Sequence, residues 1–360
     1  MIQMATHSTP NTPSNADPNC SPVPRSAWSV LAEARQSVLP AYQALADSLP
    51  AQTRHIIGYH AGWWDAHGRP GQPADKYLRP ALTVATASAL SPATAHNALP
   101  AALAVQLVHD FSLLHDDIMD QDTSRRHRPA AWTVFGAGPA LLAGDALLAA
   151  AFHTVAEAES PVSVNQTKVL AQTVKDLCQG QCLDLEYENR TTIEESLCLA
   201  VIEGKTGALL GCAAELGALA AGADQQRATA AREFGRRLGI AFQLTDDLLG
   251  IWGDPTVTGK SARSDLTRRK MTLPVVTALA SASPEAAELA ELYGHEEPLN
   301  ESALIRAAEL IEQLGGRAQT QSRVELALHE AIEFVGQIAP GASDDGDLRL
   351  LALLAARKDR

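Results

Sequence analysis

Residues 101–129, "AALAVQLVHDFSLLHDDIMDQDTSRRHRP", run a mostly apolar segment straight into four aspartates and then four basic residues. On a helix, positions three, four and seven apart share a face, so His109, Ser112, Asp116 and Asp120 form one stripe with Asp117 beside it. Like charges at that spacing repel and weaken the helix that bears them. A cation resolves the conflict. Carboxylate oxygens are hard ligands, and magnesium takes one or two of them together with water and phosphate oxygens. The plainer reading of a single such cluster is a solvated acidic helix end.

A second cluster shifts that balance. "IAFQLTDDLLGIWGD" drives another apolar helix into Asp246 and Asp247, with Gln243 one turn before and Asp254 two turns after. Two acidic clusters, each ending an apolar helix, suit a metal held between them across a cavity. Basic residues supply the counterpart: Arg125 and Arg126 after the first cluster, Lys205 in "EGKTGALL", Lys260 in "TGKSARSDL", Lys270 in "RRKMTLP", and Lys76 with Arg79 in "DKYLRP". Alone, each is a solvated side chain. Together, carboxylates that hold metal and cations that hold oxyanions describe a diphosphate site, where arginine offers a fork and lysine a point charge.

The rest of the chain frames this site. Its 360 residues are 46% hydrophobic, 20% charged and 4% aromatic, a helix-forming composition with enough apolar side chains for a large core. A net charge of −13 argues against a nucleic-acid binder. No uninterrupted apolar run reaches the roughly 18 residues that suggest a transmembrane span. Residues 1–26, rich in Pro, Ser, Thr and Asn, read as a disordered tail without the apolar centre of a secretion signal. From 27 to 360 helical patterns follow one another without strand alternation or repeat, predicting one all-helical domain whose first helix breaks near Pro40. Helices apolar on several faces are expected at its centre. The five cysteines show no metal-ligand spacing; Cys178 and Cys182 share a helix face and read as buried free thiols in a cytoplasmic protein.

In sequence order, "DKYLRP", "LVHDFSLLHDDIMDQDTSRRHRP", "GQCLDLE", "GKTGALL", "FQLTDDLLGIWGDPTVTGK" and "RRKMTLPVV" resemble the trans-polyprenyl diphosphate synthase family, over most of the chain from Leu31 onward. The resemblance implies the all-α isoprenoid synthase fold, a large helical bundle around a central cavity, and a homodimer. It implies magnesium-dependent condensation of an allylic diphosphate with isopentenyl diphosphate. Asp116 and Asp120, supported by Asp117, would ligate metal on the allylic diphosphate, with Asp246 and Asp247 opposite. Arg125, Lys205, Lys260 and Lys270 would contact that diphosphate. Lys76, Arg79, His109 and Arg126 would form the isopentenyl diphosphate pocket. Gln181, Asp184 and Gln243 would orient metal-bound water or lysine, and Thr206 would shield the carbocation. Phe111, five residues before Asp116, would floor the product cavity. A bulky residue there is similar to short-product synthases and implies geranylgeranyl diphosphate, with farnesyl diphosphate next.

Three features depart from the family pattern. Gly250 stands where a third aspartate is usual, Ala74-Asp75-Lys76 replaces Gly-Gly-Lys, and "HRPAAW" follows the arginines. They motivate one rival, a non-catalytic partner subunit. Another rival, a class I terpene cyclase, would use a different second metal motif and have no use for an isopentenyl pocket.

Overall fold

Side-chain caps set several helix starts. Ser26 and Ser29 exchange side-chain and backbone hydrogen bonds at the head of α1 (Ala27–Asp47). Asp224 and Asn300 accept from backbone N–H groups at the heads of α10 (Gln225–Trp252) and α14 (Glu301–Gln313). The computed structural model describes residues 25–71, 75–158, 160–187, 190, 192–254, 263–294, 297–341 and 346–356. Lys260 and most of the residues 1–26 expected as a tail lie outside them.

Between α1 and α10 come α2 (Ala51–His60), α3 (Leu78–Leu90), a 3-10 turn (Pro92–Ala98), α4 (Leu99–Met119), α5 (Ala131–Phe135), α6 (Ala137–Glu157), α7 (Ser163–Tyr187), α8 (Glu195–Ile202) and α9 (Ala208–Ala220). After α10 follow α11 (Ser264–Thr267), α12 (Leu273–Leu279), α13 (Pro284–Gly294), then α14, α15 (Gly316–Ile338) and α16 (Asp347–Ala355). The all-α expectation holds. It misses one hairpin, Ser124–Arg125 against Arg128–Pro129, too short to leave an alternation in the sequence.

The helices apolar on several faces are the central ones. Every residue of α4 from Ala101 to Val108 is buried, and so is every residue of α9 from Leu209 to Leu219. Among the described residues, three helical stretches, Pro92–Met119, Ala137–Glu157 and Glu195–Ala220, are long and apolar enough to cross a membrane by length and hydropathy alone. The first and third owe this to burial within the bundle, with 67% and 56% of their most apolar windows covered. Only 33% of the α6 window is covered, and Leu141 and Leu142 on it are exposed.

Two further expectations are corrected. α1 does not break at Pro40 but continues to Asp47. Both Pro40 and Gln36, whose carbonyl loses its N–H partner, are exposed, so that carbonyl is open to solvent, while Val38 and Tyr42 anchor the helix in the core. Cys178 and Cys182 are exposed, not buried, because α7 turns Leu177, Gly180 and Gln181 inward instead.

Candidate active site

A single π-helical turn, Glu203–Gly207, joins α8 to α9 and presents Lys205 and Thr206. Such turns widen the helix and are frequent at functional sites. Glycines bring neighbouring backbones onto it. A Cβ on Gly180 of α7 would meet Lys205 N at 2.6 Å, and one on Gly239 of α10 would meet Gly207 Cα at 2.7 Å. The contact from α7 sets Gln181 and Asp184 beside Lys205, and the contact from α10 sets Gln243 beside Thr206.

Lys205 Nζ lies 2.8 Å from Asp116 Oδ1, 2.7 Å from Asp184 Oδ2 and 3.9 Å from Asp120 Oδ2. Burial disfavours its charge, but these three carboxylates outweigh that and hold it above the ordinary lysine range. Gln181 Nε2 donates to Asp120 Oδ1 at 3.4 Å. Burial, with Asp116 adding to it, pushes the Asp120 carboxyl up to about 6. Asp117 behaves differently from its neighbours. It is 1% exposed and accepts from Arg125 Nε at 2.8 Å, so its carboxylate anchors an arginine expected to meet the diphosphate. Arg125 also lies 3.7 Å from Asp116 and 3.9 Å from Asp122.

The second cluster connects to the first through Thr206, the residue next to Lys205 in the chain. Thr206 Oγ1 donates to Gln243 Oε1 at 2.9 Å, and Gln243 Nε2 donates to Asp247 Oδ1 at 3.0 Å. Burial, with Asp265 and Asp246 adding to it, pushes the Asp247 carboxyl up to about 7. The positive charge of Lys270 acts on both Asp120 and Asp247, so the two clusters share one electrostatic neighbourhood. Asp246 is half-buried on the same helical turn as Asp247. At Gly250, the position of the absent aspartate, a Cβ would stand 2.0 Å from Asp265 Oδ2. Arg268 Nη1, 2.5 Å from Asp122 Oδ1, ties the α11 segment to the loop after the first cluster.

A third group gathers where an isopentenyl diphosphate pocket was expected. In the hairpin turn Arg126 (φ 52°) and His127 (φ 60°) are both left-handed, the pattern of a type I′ turn and a strained one without glycine. Arg126 Nη2 reaches Asp75 Oδ2 at 2.6 Å, which also accepts from Gln106 Nε2 at 3.2 Å, and His109 Nε2 lies 3.8 Å from it. Asp75 Oδ1 accepts from Tyr77 N at 2.7 Å. Beneath them Asp110 accepts from Tyr42 Oη at 3.0 Å and Gln106 Nε2 at 3.1 Å, with His60 Nε2 3.5 Å away. Burial lowers Arg79 to about 10 and, with Arg79 adding to it, keeps His109 below the usual imidazole range. Lys76 does not join the group. It is exposed, and its ammonium stands 5.5 Å from the Trp28 ring centre.

A profile of the family described as "Polyprenyl synthetase" matches residues 71–311, which span both acidic clusters and the pocket of Asp75. The chain belongs to the polyprenyl synthetase family. A (2E,6E)-farnesyl diphosphate synthase of Mycobacterium tuberculosis is 40% identical over 325 residues, 89% of this chain and 90% of its own. A geranylgeranyl diphosphate synthase of the same organism is 41% identical over 334 residues, 92% of this chain and 93% of its own. Among solved structures, a polyprenyl synthetase from Streptomyces coelicolor A3(2) superposes with a TM-score of 0.87 at 38% identity, covering 91% of this chain and 99% of that one. The isoprenoid synthase fold follows.

In this polyprenyl synthetase the fit to a divalent ion rests on the donors present. Asp116, Asp120, Asp184 and Asp247 offer hard oxygens, and burial beside like charges raises Asp120 and Asp247, a surplus of negative charge that a cation relieves. Among the described residues no three candidate ligands stand close enough to enclose an ion unaided. Phe111 is buried on α4, its ring centre 4.7 Å from that of His115, over Gly144 of α6.

Tyr42, His60, Gln106, Asp110 and Asp265 were missed by sequence reading. Asp110, next to His109 on an apolar helix, was the one visible signal, because a central helix carries a charge only where something pairs it.

Proposed function

We propose that this polyprenyl synthetase is a short-chain trans-prenyltransferase that joins an allylic diphosphate to isopentenyl diphosphate, giving geranylgeranyl diphosphate ahead of farnesyl diphosphate. The observation that supports the reading best is the chain of contacts from Asp116 through Lys205, its neighbour Thr206 and Gln243 to Asp247, which runs from one acidic helix end to the other. The names of the relatives, farnesyl and geranylgeranyl diphosphate synthases, support the same class.

Asp116, Asp120 and Asp246, with Asp247 behind them, would hold magnesium, which supplies positive charge to the leaving diphosphate. Lys205, Lys270 and Arg125, together with Lys260, bind that diphosphate and stabilise the charge gathering on its bridging oxygen as the allylic C–O bond breaks. Arg79, His109 and Arg126 hold isopentenyl diphosphate so that its double bond attacks the allylic carbon. A new C–C bond forms, and the departing diphosphate takes the proton that completes the product. Thr206 and Gln243 line the site between the clusters and keep Asp247 oriented. The growing chain runs along α4 toward Phe111, about 7.5 Å below Asp116 at the helical rise.

The exposed apolar side chains Met119, Val134, Leu141 and Leu142, gathered where α4, α5 and α6 end or begin, support a homodimer with a second copy covering them. The free thiols at Cys178, Cys182, Cys198 and Cys212 suit a reducing cytoplasm. A non-elongating partner subunit is the second reading, favoured by Asp75 in the grasp of Arg126. Purified protein with magnesium, labelled isopentenyl diphosphate and each allylic starter tests both. A geranylgeranyl product supports the first reading, and absence of any prenyl product in the presence of a known active synthase's controls supports the second.

A further inference from the structure

The pocket assigned above to isopentenyl diphosphate is already neutralised from within. Its arginines are Arg79 and Arg126, and Asp75 and Asp110 both act on Arg79 while both lie within 4.0 Å of Arg126. The imidazole of His109 is kept from charging by burial and by Arg79. Lys76, which would add a third permanent charge, stands over Trp28. A diphosphate entering this pocket meets two aspartates beside the two arginines that are meant to bind it.

Of the two aspartates, Asp110 is the structural one. It is 1% exposed within α4, where the helix backbone fixes it beneath Tyr42 and Gln106. Asp75 is different. It lies in the segment leading into α3, and its Oδ2 takes the Nη2 of Arg126 at 2.6 Å, the kind of bond a phosphate oxygen would make. The arginines also retain donors that Asp75 does not use. Arg79 Nε and Arg126 Nη1 are buried without a hydrogen-bond acceptor among the described residues. Buried guanidinium N–H groups left open at the same place point to an anion larger than one carboxylate. The pocket is thus built for an oxyanion, and a carboxylate of the chain itself holds part of it.

Resting on the prenyltransferase reading, we propose that Asp75 is a specificity-determining internal counter-ion: it occupies one oxygen position of the isopentenyl diphosphate site on Arg126, and the second substrate binds only by displacing it. The consequence is selective. Affinity for isopentenyl diphosphate is lowered, while the allylic diphosphate, held at Lys205 and the aspartate clusters, is unaffected.

The test compares wild type with Asp75→Asn and Asp75→Gly. In each variant that unfolds cooperatively, the KM for isopentenyl diphosphate and the Kd, by calorimetry, of its unreactive saturated analogue isopentyl diphosphate, which lacks the attacking double bond, are expected to fall at least tenfold, with the KM for the allylic diphosphate unchanged. Unchanged or higher values for isopentenyl diphosphate and its analogue in a folded variant overturn the proposal. Should both variants fail to fold, a crystal structure of the wild type with the analogue decides: Asp75 moved out of hydrogen-bond reach of Arg126 supports displacement, and Asp75 still bonded to it refutes it. The binding measurement is independent of turnover. A wild type that binds the analogue yet makes no prenyl product counts against the prenyltransferase reading, and the ratio of Kd values between wild type and variant still decides the role of Asp75.

Discussion

Gly250 lies directly against Asp265: a Cβ at position 250 would stand 2.0 Å from Asp265 Oδ2 and 2.4 Å from its Cγ. The departure from the family pattern at 250 therefore has a neighbour that requires it. Gly250→Asp, which restores the usual third aspartate, adds bulk and a like charge to a filled space. We expect it to destabilise the protein by about 1–3 kcal/mol, read by urea unfolding, and the double change Gly250→Asp with Asp265→Gly to recover part of that loss. An unperturbed single variant would show that the two positions are independent.

Lys205 holds three carboxylates together. Lys205→Met removes both that link and a charge aimed at the leaving diphosphate. A fall in kcat of about a hundredfold or more is expected, in the range for loss of one preorganised electrostatic group, with a smaller change in KM for isopentenyl diphosphate. Steady-state kinetics with each substrate varied in turn separates the two effects.

Asp110 predicts a pH signature. Burial pushes its carboxyl up, but the hydrogen bond and charge of His60, together with Arg126, outweigh burial and hold it below the usual carboxylate range. A carboxyl lowered in the folded state contributes stability that is present above the unfolded value near pH 4 and is lost as pH falls through the folded value. Asp110→Asn should therefore cost about 1–3 kcal/mol at neutral pH, and its deficit against wild type should persist to about pH 5 and shrink below about pH 4. Denaturant titrations across that range measure it. A deficit that grows on acidification contradicts the assignment.

Phe111→Ala opens the space over Gly144 beside His115. A longer prenyl product is expected, at a stability cost of about 3–5 kcal/mol for the lost ring. Chromatography of dephosphorylated products reads chain length, and an unchanged product removes Phe111 from the cavity floor.

Leu142, 67% exposed on α6, is the most exposed of the large apolar side chains there. Leu142→Glu, alone or with Leu141→Glu, should convert a dimer to a monomer in analytical ultracentrifugation. A wild type that sediments as a monomer at micromolar concentration would rule out the dimer.

The sequence made the helices, their central members and both aspartate clusters readable, because each is a local pattern with a helical period. It did not reveal where Lys76 points or what Asp75 binds. Arg126 lies 51 residues from Asp75, and Tyr42 lies 68 from Asp110, distances over which periodicity says nothing. Asp75 looked awkward beside a lysine, yet its partner is an arginine on a strained hairpin. The π turn at Lys205 was hidden too, since the polar stretch "EGKTG" between the apolar runs of α8 and α9 reads equally well as one more turn of α-helix.

The most direct test of two acidic helix ends meeting at one ion-binding site is anomalous diffraction from crystals soaked in manganese and pyrophosphate. The account predicts metal peaks between Asp116 or Asp120 on α4 and Asp246 on α10, bridged by pyrophosphate oxygens. Metal and pyrophosphate bound at only one of the two helix ends, or away from both, would contradict it.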